Sequence, residues 1–281
     1  MKVNKVKLFL VFALVVLLII IFSSLLFYQK YNADQKQNND KQNSSTELKD
    51  EIEKEKKQLP KINNTTFNIP IYMYHHIQDT DPDGDQLLYG LSLSISSFQE
   101  QMNYLKNNNY KTLTLTEMLD HPLAKSVVLT FDDGYIDIYQ KAYPIMQKVG
   151  YRGVIFVITD LVSTPGYMSW EELKELKNAG WEMGSHTLSH PSLETLDFDS
   201  ATNQIASSKK IIEKTLQTKV NFFCYPAGKY NQETIKILKS ADYIGAVTTQ
   251  YGLENSRNNI FELERIRING GASLNDFTAP I

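Results

Sequence analysis

The chain has 281 residues, 42% hydrophobic and 22% charged, with a formal net charge of −3 and one cysteine, Cys224. That single thiol excludes an intrachain disulfide and a lipid-modified N-terminal cysteine, so stability must come from a packed core. Residues 67–281 carry 18 basic and 25 acidic side chains, a balance that argues against nucleic acid or another polyanion as partner and suits a neutral or cationic polymer.

The first 66 residues differ in kind from the rest. Leu8 to Phe27, LFLVFALVVLLIIIFSSLLF, is a run of twenty residues that as a helix reaches about 30 Å, the thickness of a bilayer core. Lys2, Lys5 and Lys7 precede it, which predicts a cytoplasmic segment at 1–7, an uncleaved membrane-spanning anchor at 8–27, and export of everything that follows. The alternative is a signal peptide cleaved to release a secreted protein, for which only Ser23 and Ser24 offer small residues. Residues 28–66 are rich in Asn, Gln, Lys, Asp and Glu and read as a flexible polar linker, within which ELKDEIEKEKKQL could form a transient charged helix.

From residue 67 to 281, strand and helix signals alternate. IPIYMYHHI reads as a strand, and SISSFQEQMNYLKNNNY as a helix carrying Phe98, Met102 and Leu105 on one face. SVVLTF is a strand, and YIDIYQKAYPIMQKVG a helix closed by Gly150. RGVIFVI is a strand, SWEELKELKNAG a helix capped by Ser169 with Glu172 three residues on, and WEMGSH a strand. The series continues with the helix SATNQIASSKKIIEKTL, the strand VNFFCYP, the helix NQETIKILKSA, and the strands YIGAVTT and ELERIRIN. Repeated β-α units predict an α/β fold, a parallel sheet curled into a closed or nearly closed barrel with its site at the C-terminal strand ends.

Two strand ends carry the chemistry. VVLTFDDGY closes a buried strand with Asp132, Asp133 and Gly134; such a triplet can be a mere turn, yet neighbouring carboxylates on extended backbone point to opposite sides and can serve two purposes. WEMGSH runs into SHTLSH, which sets His186 and His190 four residues apart; if His190 begins a helical turn, both imidazoles converge. One Asp and two His form a three-ligand site of the kind that leaves a catalytic Zn²⁺ open to water.

TFDDG followed some fifty residues later by SHTLSH resembles the polysaccharide deacetylase family, carbohydrate esterases that remove acetyl groups from chitin, peptidoglycan, xylan and related glycans. The resemblance spans about Ile69 to Asn269 and implies a distorted (β/α) barrel. It implies that Asp133, His186 and His190 hold a divalent metal, Zn²⁺ with Co²⁺ or Ni²⁺ as alternatives, and that Asp132 is the general base. The family's Arg-x-Pro-Tyr-Gly motif is matched by Cys224-Tyr225-Pro226-Ala227-Gly228, so Ala227 would supply a backbone N–H to the oxyanion. Cys224 occupies the Arg position and reads by itself as a small buried hydrophobe. Tyr225 and Tyr135 are the candidates for lining the substrate groove.

Many family members carry a further Arg that orients the catalytic Asp, so the resemblance implies a partner for Asp132 in ELERIRI, where Arg265 and Arg267 share a face by period two and Arg265 is the one expected. No histidine follows His190, where family chains usually carry their general acid. YMYHHI supplies His75 and His76 instead, an arrangement that resembles the poly-β-1,6-N-acetylglucosamine deacetylase branch. His75 is the expected acid, with a nearby carboxylate raising its pKa, and His76 a structural or groove-lining group. His121 reads as an exposed loop residue without function. The function expected is metal-dependent N-deacetylation of an extracellular acetylated polysaccharide, poly-β-1,6-N-acetylglucosamine first, with peptidoglycan or another surface glycan, or a non-catalytic glycan-binding barrel, as alternatives.

Overall fold

The computed structural model describes residues 66–281 apart from 254, 257 and 258. The predicted cytoplasmic segment, the span 8–27 and all but the last residue of the linker lie outside the described residues; among those described, no helix is long and apolar enough to cross a membrane.

Eight strands form one sheet: β1 (Ile71–Tyr74), β2 (Lys111–Leu113), β3 (Ser126–Phe131), β4 (Val154–Val157), β5 (Glu182–Ser185), β6 (Phe222–Cys224), β7 (Gly245–Val247) and β8 (Ile266–Arg267). Their order is β7-β6-β5-β4-β3-β1-β8, with β2 beside β3, and every pairing is parallel. The two edges meet through the chain around β8. Leu263 bridges Val247 of β7, while Ile266 and Arg267 pair with Tyr72 and Met73 of β1.

Alternation along the strands builds two cores. Val127, Leu129 and Phe131 of β3, with Phe223 on β6 and Tyr225 just beyond it, face the helices; Val128, Phe156, Phe222, Cys224 and Val247 form a second cluster. Both faces of β1 and β3 are buried, as expected for a parallel sheet covered on each side. The second cluster fills the inside of the curl, and Thr130 and Asp132 share its parity on β3.

The covering helices are α1 (Ile95–Asn107), α2 (Tyr143–Val149), α3 (Trp170–Asn178), α4 (Ser208–Leu216) and α5 (Gln232–Ser240). Ser94 caps α1, and α1 buries Phe98, Met102 and Leu105 as its spacing requires. Ser169 and Glu172 close a reciprocal capping box on α3. Gly150 ends α2 at φ 77°, a conformation that costs glycine little.

The elements differ from the sequence reading at several points, among them the short helices Gln86–Leu91 and Leu274–Thr278, which it did not include. The strand expected over IPIYMYHHI stops at Tyr74, and His76–Ile77 pairs separately with Ser92–Leu93. Within ELERIRIN only Ile266–Arg267 forms a strand, and Leu263 adds an isolated bridge to β7. β2 and the helix Leu115–Asp120 were not anticipated, being too short for periodicity to register, although Thr114 and Glu117 form a capping box readable as T-x-x-E.

Gly184 on β5 allows the sheet to pass Phe156: a Cβ there would fall 2.4 Å from the buried Phe156 ring. Gly184→Ala is expected to destabilise the fold by about 1–3 kcal/mol through overpacking, read as a lower urea midpoint at constant slope. An unchanged midpoint would show that the ring can yield.

Candidate active site

β3 delivers Asp132 and Asp133 to the mouth of the barrel, but by a different route from simple alternation. Asp132 still belongs to the ladder, its N–H donating to the Tyr74 carbonyl at 2.9 Å. Asp133 then turns to φ 71° and Gly134 to φ 86°, with the Gly134 N–H returning to the Asp132 carbonyl at 2.9 Å. The left-handed step at Asp133, where Asp is among the better-tolerated residues, sends the two carboxylates to different partners.

Asp132 is buried against Arg265, which is 0% exposed. Nη1 and Nη2 of Arg265 donate to Oδ1 and Oδ2 of Asp132, each at 2.8 Å. The remaining donors go to the Thr248 carbonyl (2.8 Å), Thr130 Oγ1 (3.0 Å) and Cys224 Sγ (3.3 Å), so all five N–H groups of the guanidinium are used. Burial by itself would raise the Asp132 pKa, but the charge and hydrogen bonds of Arg265 overcome it and hold the carboxyl well below the usual range. Arg267 is exposed, as the expected division between the two arginines required.

Asp133, His186 and His190 converge. Asp133 Oδ1 lies 3.3 Å from His186 Nε2 and 3.7 Å from His190 Nε2. That oxygen is buried and has no hydrogen-bond partner among the described residues. His186 follows β5 directly, and its Nδ1 meets the Cys224 carbonyl at 2.7 Å, an arrangement that puts the proton on Nδ1 and leaves the Nε2 lone pair facing Asp133. His190 arrives by a turn rather than a helix: Thr187 and His190 take φ 71° and 62°, and the His190 N–H donates to Thr187 Oγ1 at 2.8 Å. An orphaned carboxylate oxygen with two imidazole nitrogens aimed at it is a donor set that fits a divalent metal.

His75 sits beside this pair with Nε2 3.9 Å from Asp132 Oδ2. Burial lowers its pKa, outweighing the Asp132 and Asp133 carboxylates, so the expected upward shift is corrected. His76 points elsewhere, its Nδ1 3.0 Å from Asp137 Oδ1.

Two groove assignments change. Tyr225 is fully buried, its hydroxyl donating to the Phe261 carbonyl at 2.9 Å and its ring stacked on Tyr230 at 4.1 Å. It therefore packs among the helix-facing residues and does not line a groove. Tyr135 is half-buried at the mouth, but His76 stacks on its ring at 3.7 Å and Tyr167 leans against it at 5.0 Å. Ala227 is exposed on the turn Pro226–Gly228 at φ 50°. His121, at the end of the helix Leu115–Asp120, is exposed. Cys224 is buried as expected, yet its thiol lies 3.4 Å from Asp132 Oδ2, so it is part of the wall behind the carboxylate. Its place next to Asp132 was the feature missed, although its parity with Phe222 on β6 could have indicated an inward thiol.

The polysaccharide deacetylase family model matches residues 120–246, which hold both aspartates and both metal-facing histidines. YxkH of Bacillus subtilis (strain 168), assigned by its name to the polysaccharide deacetylases, is 33% identical over 219 residues, 76% of each chain. The chain belongs to the polysaccharide deacetylase family. The poly-β-1,6-N-acetyl-D-glucosamine N-deacetylase of Staphylococcus aureus (strain MRSA252) is 28% identical over 64% of this chain and 69% of that one. Among solved structures, the Streptococcus pyogenes deacetylase PplD in complex with acetate superposes with a TM-score of 0.70 at 31% identity, covering 78% of this chain and 99% of the other. The curled parallel sheet is thus the barrel of the polysaccharide deacetylases, amide hydrolases acting on acetylated polysaccharides. Members generally depend on a metal, and Asp133, His186 and His190 provide a possible site for one.

Proposed function

We propose that this polysaccharide deacetylase removes N-acetyl groups from an extracellular N-acetylglucosamine polymer, poly-β-1,6-N-acetylglucosamine before peptidoglycan, while tethered to the membrane by residues 8–27. The observation that carries the chemistry is the pair of adjacent carboxylates with separate partners, Asp132 on Arg265 and Asp133 on two imidazoles. Asp133, His186 and His190 would hold the metal, Zn²⁺ first and Co²⁺ or Ni²⁺ as alternatives. Such an ion supplies polarisation of the acetyl carbonyl and makes a nearby water more acidic.

The remaining steps belong to the chain itself. Asp132, ionised by Arg265, takes a proton from the attacking water. Ala227, on the exposed turn after β6, would donate its backbone N–H to the developing oxyanion. His75 rests neutral because of burial, and at 3.9 Å from Asp132 it is placed to receive that proton and deliver it to the leaving amine. One proton thus passes from water to the departing nitrogen, and acetate leaves.

Support for the choice of polymer comes from the S. aureus relative and from the likeness of the YMYHHI histidines to that branch, no histidine following His190. The test is acetate release by the full chain with added Zn²⁺ from poly-β-1,6-N-acetylglucosamine and from peptidoglycan. Faster release from peptidoglycan would reverse the substrate order, and release from neither would overturn the reading.

His75→Ala is expected to keep its metal and lower kcat about 10²- to 10⁴-fold, the ordinary range for losing a proton-transfer group. An active His75→Ala protein beside an inactive, folded, metal-loaded His76→Ala protein would move the role to His76.

A further inference from the structure

His76 lies next to the proposed acid in sequence, yet its surroundings serve a separate purpose. Its Nδ1 is 3.0 Å from Asp137 Oδ1, and Asp137 Oδ2 accepts the Ile77 N–H at 2.6 Å. The carboxylate is therefore locked to the backbone and the imidazole locked to the carboxylate. A carboxylate accepts only, so the ring nitrogen facing Asp137 is the one that carries a proton, and in that tautomer of the neutral ring Nε2 is the lone-pair acceptor.

One face of the His76 ring rests on Tyr135 at 3.7 Å and 24° between planes. Tyr135 is backed in turn by Tyr167, at 5.0 Å and through an antiparallel backbone bridge. Only 12% of the His76 side chain is exposed, and its Nε2 has no protein partner among the described residues although it is not sealed from solvent.

Three features separate His76 from a packing residue. Fixing the chain at Ile77 needs only Asp137 Oδ2, so the bond from Oδ1 to His76 adds nothing to that task and instead sets the ring's orientation and tautomer. Stacking on Tyr135 could be met by any flat side chain. What histidine adds is the second nitrogen, held by a carboxylate on one side and open on the other. The plate also borders the metal-facing group, since Tyr135 is two residues past Asp133 on the turn that follows β3.

We propose that His76 is a substrate-positioning residue at the barrel mouth, its Nε2 accepting a hydrogen bond from a sugar hydroxyl or acetamido N–H of the bound glycan, with Asp137 fixing its tautomer and Tyr135 backing its ring. The Tyr135 ring faces that seemed suited to sugar stacking are taken by His76 and Tyr167, so His76 presents the recognition surface in its place. The proposal rests on the deacetylase reading of the mouth. Its ligand is a pyranose polymer bearing hydroxyl and acetamido groups.

The test uses the full chain with Zn²⁺ and a β-1,6-linked N-acetylglucosamine pentamer, in three proteins: wild type, His76→Ala and Asp137→Asn. Pentamer binding is measured by calorimetry at a temperature where turnover is slow, and KM and kcat from acetate release. His76→Ala is expected to raise both Kd and KM about tenfold, the loss of one good hydrogen bond, with kcat lowered less than threefold. Asp137→Asn can still accept the Ile77 N–H, but its amide now donates to Nδ1 and moves the imidazole proton to Nε2. It is expected to raise KM similarly without lowering the melting temperature by more than a few degrees, and to shift the His76 ring ¹⁵N resonances toward the other tautomer.

Unchanged Kd and KM in both variants would overturn the proposal, as would a large fall in kcat at constant KM, which marks a proton-transfer group. Failure of the pentamer to bind wild type would overturn it too. A pentamer that binds wild type, binds His76→Ala more weakly and is never deacetylated would support the positioning role while sinking the activity reading.

Discussion

Asp132→Asn is expected to retain its metal and lose about 10²- to 10⁴-fold in kcat, whereas Asp133→Ala, His186→Ala and His190→Ala should each lose metal and activity together. The contrast follows from how the strand end distributes its two carboxylates. Both oxygens of Asp132 are committed to Arg265, and the same carboxylate faces the Cys224 thiol and His75. An Asn there removes the proton acceptor without touching any group of the proposed ligand set. Asp133 Oδ1 is buried without a hydrogen-bond partner among the described residues and lies within 3.7 Å of both imidazole nitrogens, so its removal deletes one of three converging donors. Metal content by elemental analysis, measured beside kcat on folded protein, separates the two classes. Equal metal loss in Asp132→Asn would exchange the roles of the pair.

The same region shows what a sequence can and cannot reveal. Asp132, Asp133, His186 and His190 were legible because their chemistry is carried by residue type and local spacing at the ends of recognisable strands. The means of convergence was not: His190 reaches Asp133 through left-handed residues at 187 and 190, and nothing in SHTLSH distinguishes that turn from the helical one expected. Arg265 was expected from the family resemblance, and parity with Arg267 could not choose between the two; burial does, setting Arg265 against Asp132 and leaving Arg267 exposed. Tyr225 was misread because aromatic residues after a site strand serve grooves and cores alike. Alternation on β6 turns Phe222 and Cys224 inward and Phe223 and Tyr225 toward the helices, so fixing the inward direction of Cys224 would have settled it. The upward pKa shift expected for His75 failed for a similar reason: the carboxylate was correctly placed nearby, but burial outweighs it, and burial depends on the whole fold.

Arg265→Met should cost about 3–5 kcal/mol of stability, because it leaves the Asp132 carboxylate buried without a counter-charge. The loss exceeds that expected for a surface ion pair, since Arg265 also spends its other donors on the Thr248 carbonyl, Thr130 and Cys224. Its dependence on pH has a definite sign. In the native protein the Asp132 pKa is depressed, so this pairing contributes stability that is present above the unfolded carboxyl pKa and is lost as pH falls through the lower folded value. In Arg265→Met the effect of burial is unopposed by the guanidinium and the folded pKa moves upward, so the variant gains relative stability as pH falls and the buried acid takes up its proton. The gap between the two proteins should therefore be wide at pH 7 and narrow towards pH 4. Adding Asp132→Asn to Arg265→Met should recover part of the loss at pH 7, because the double variant no longer buries a charge at this pair. Urea unfolding at the two pH values measures each quantity. A stability gap independent of pH, with no recovery in the double variant, would mean that Arg265 acts through packing and neutral hydrogen bonds and not by compensating Asp132.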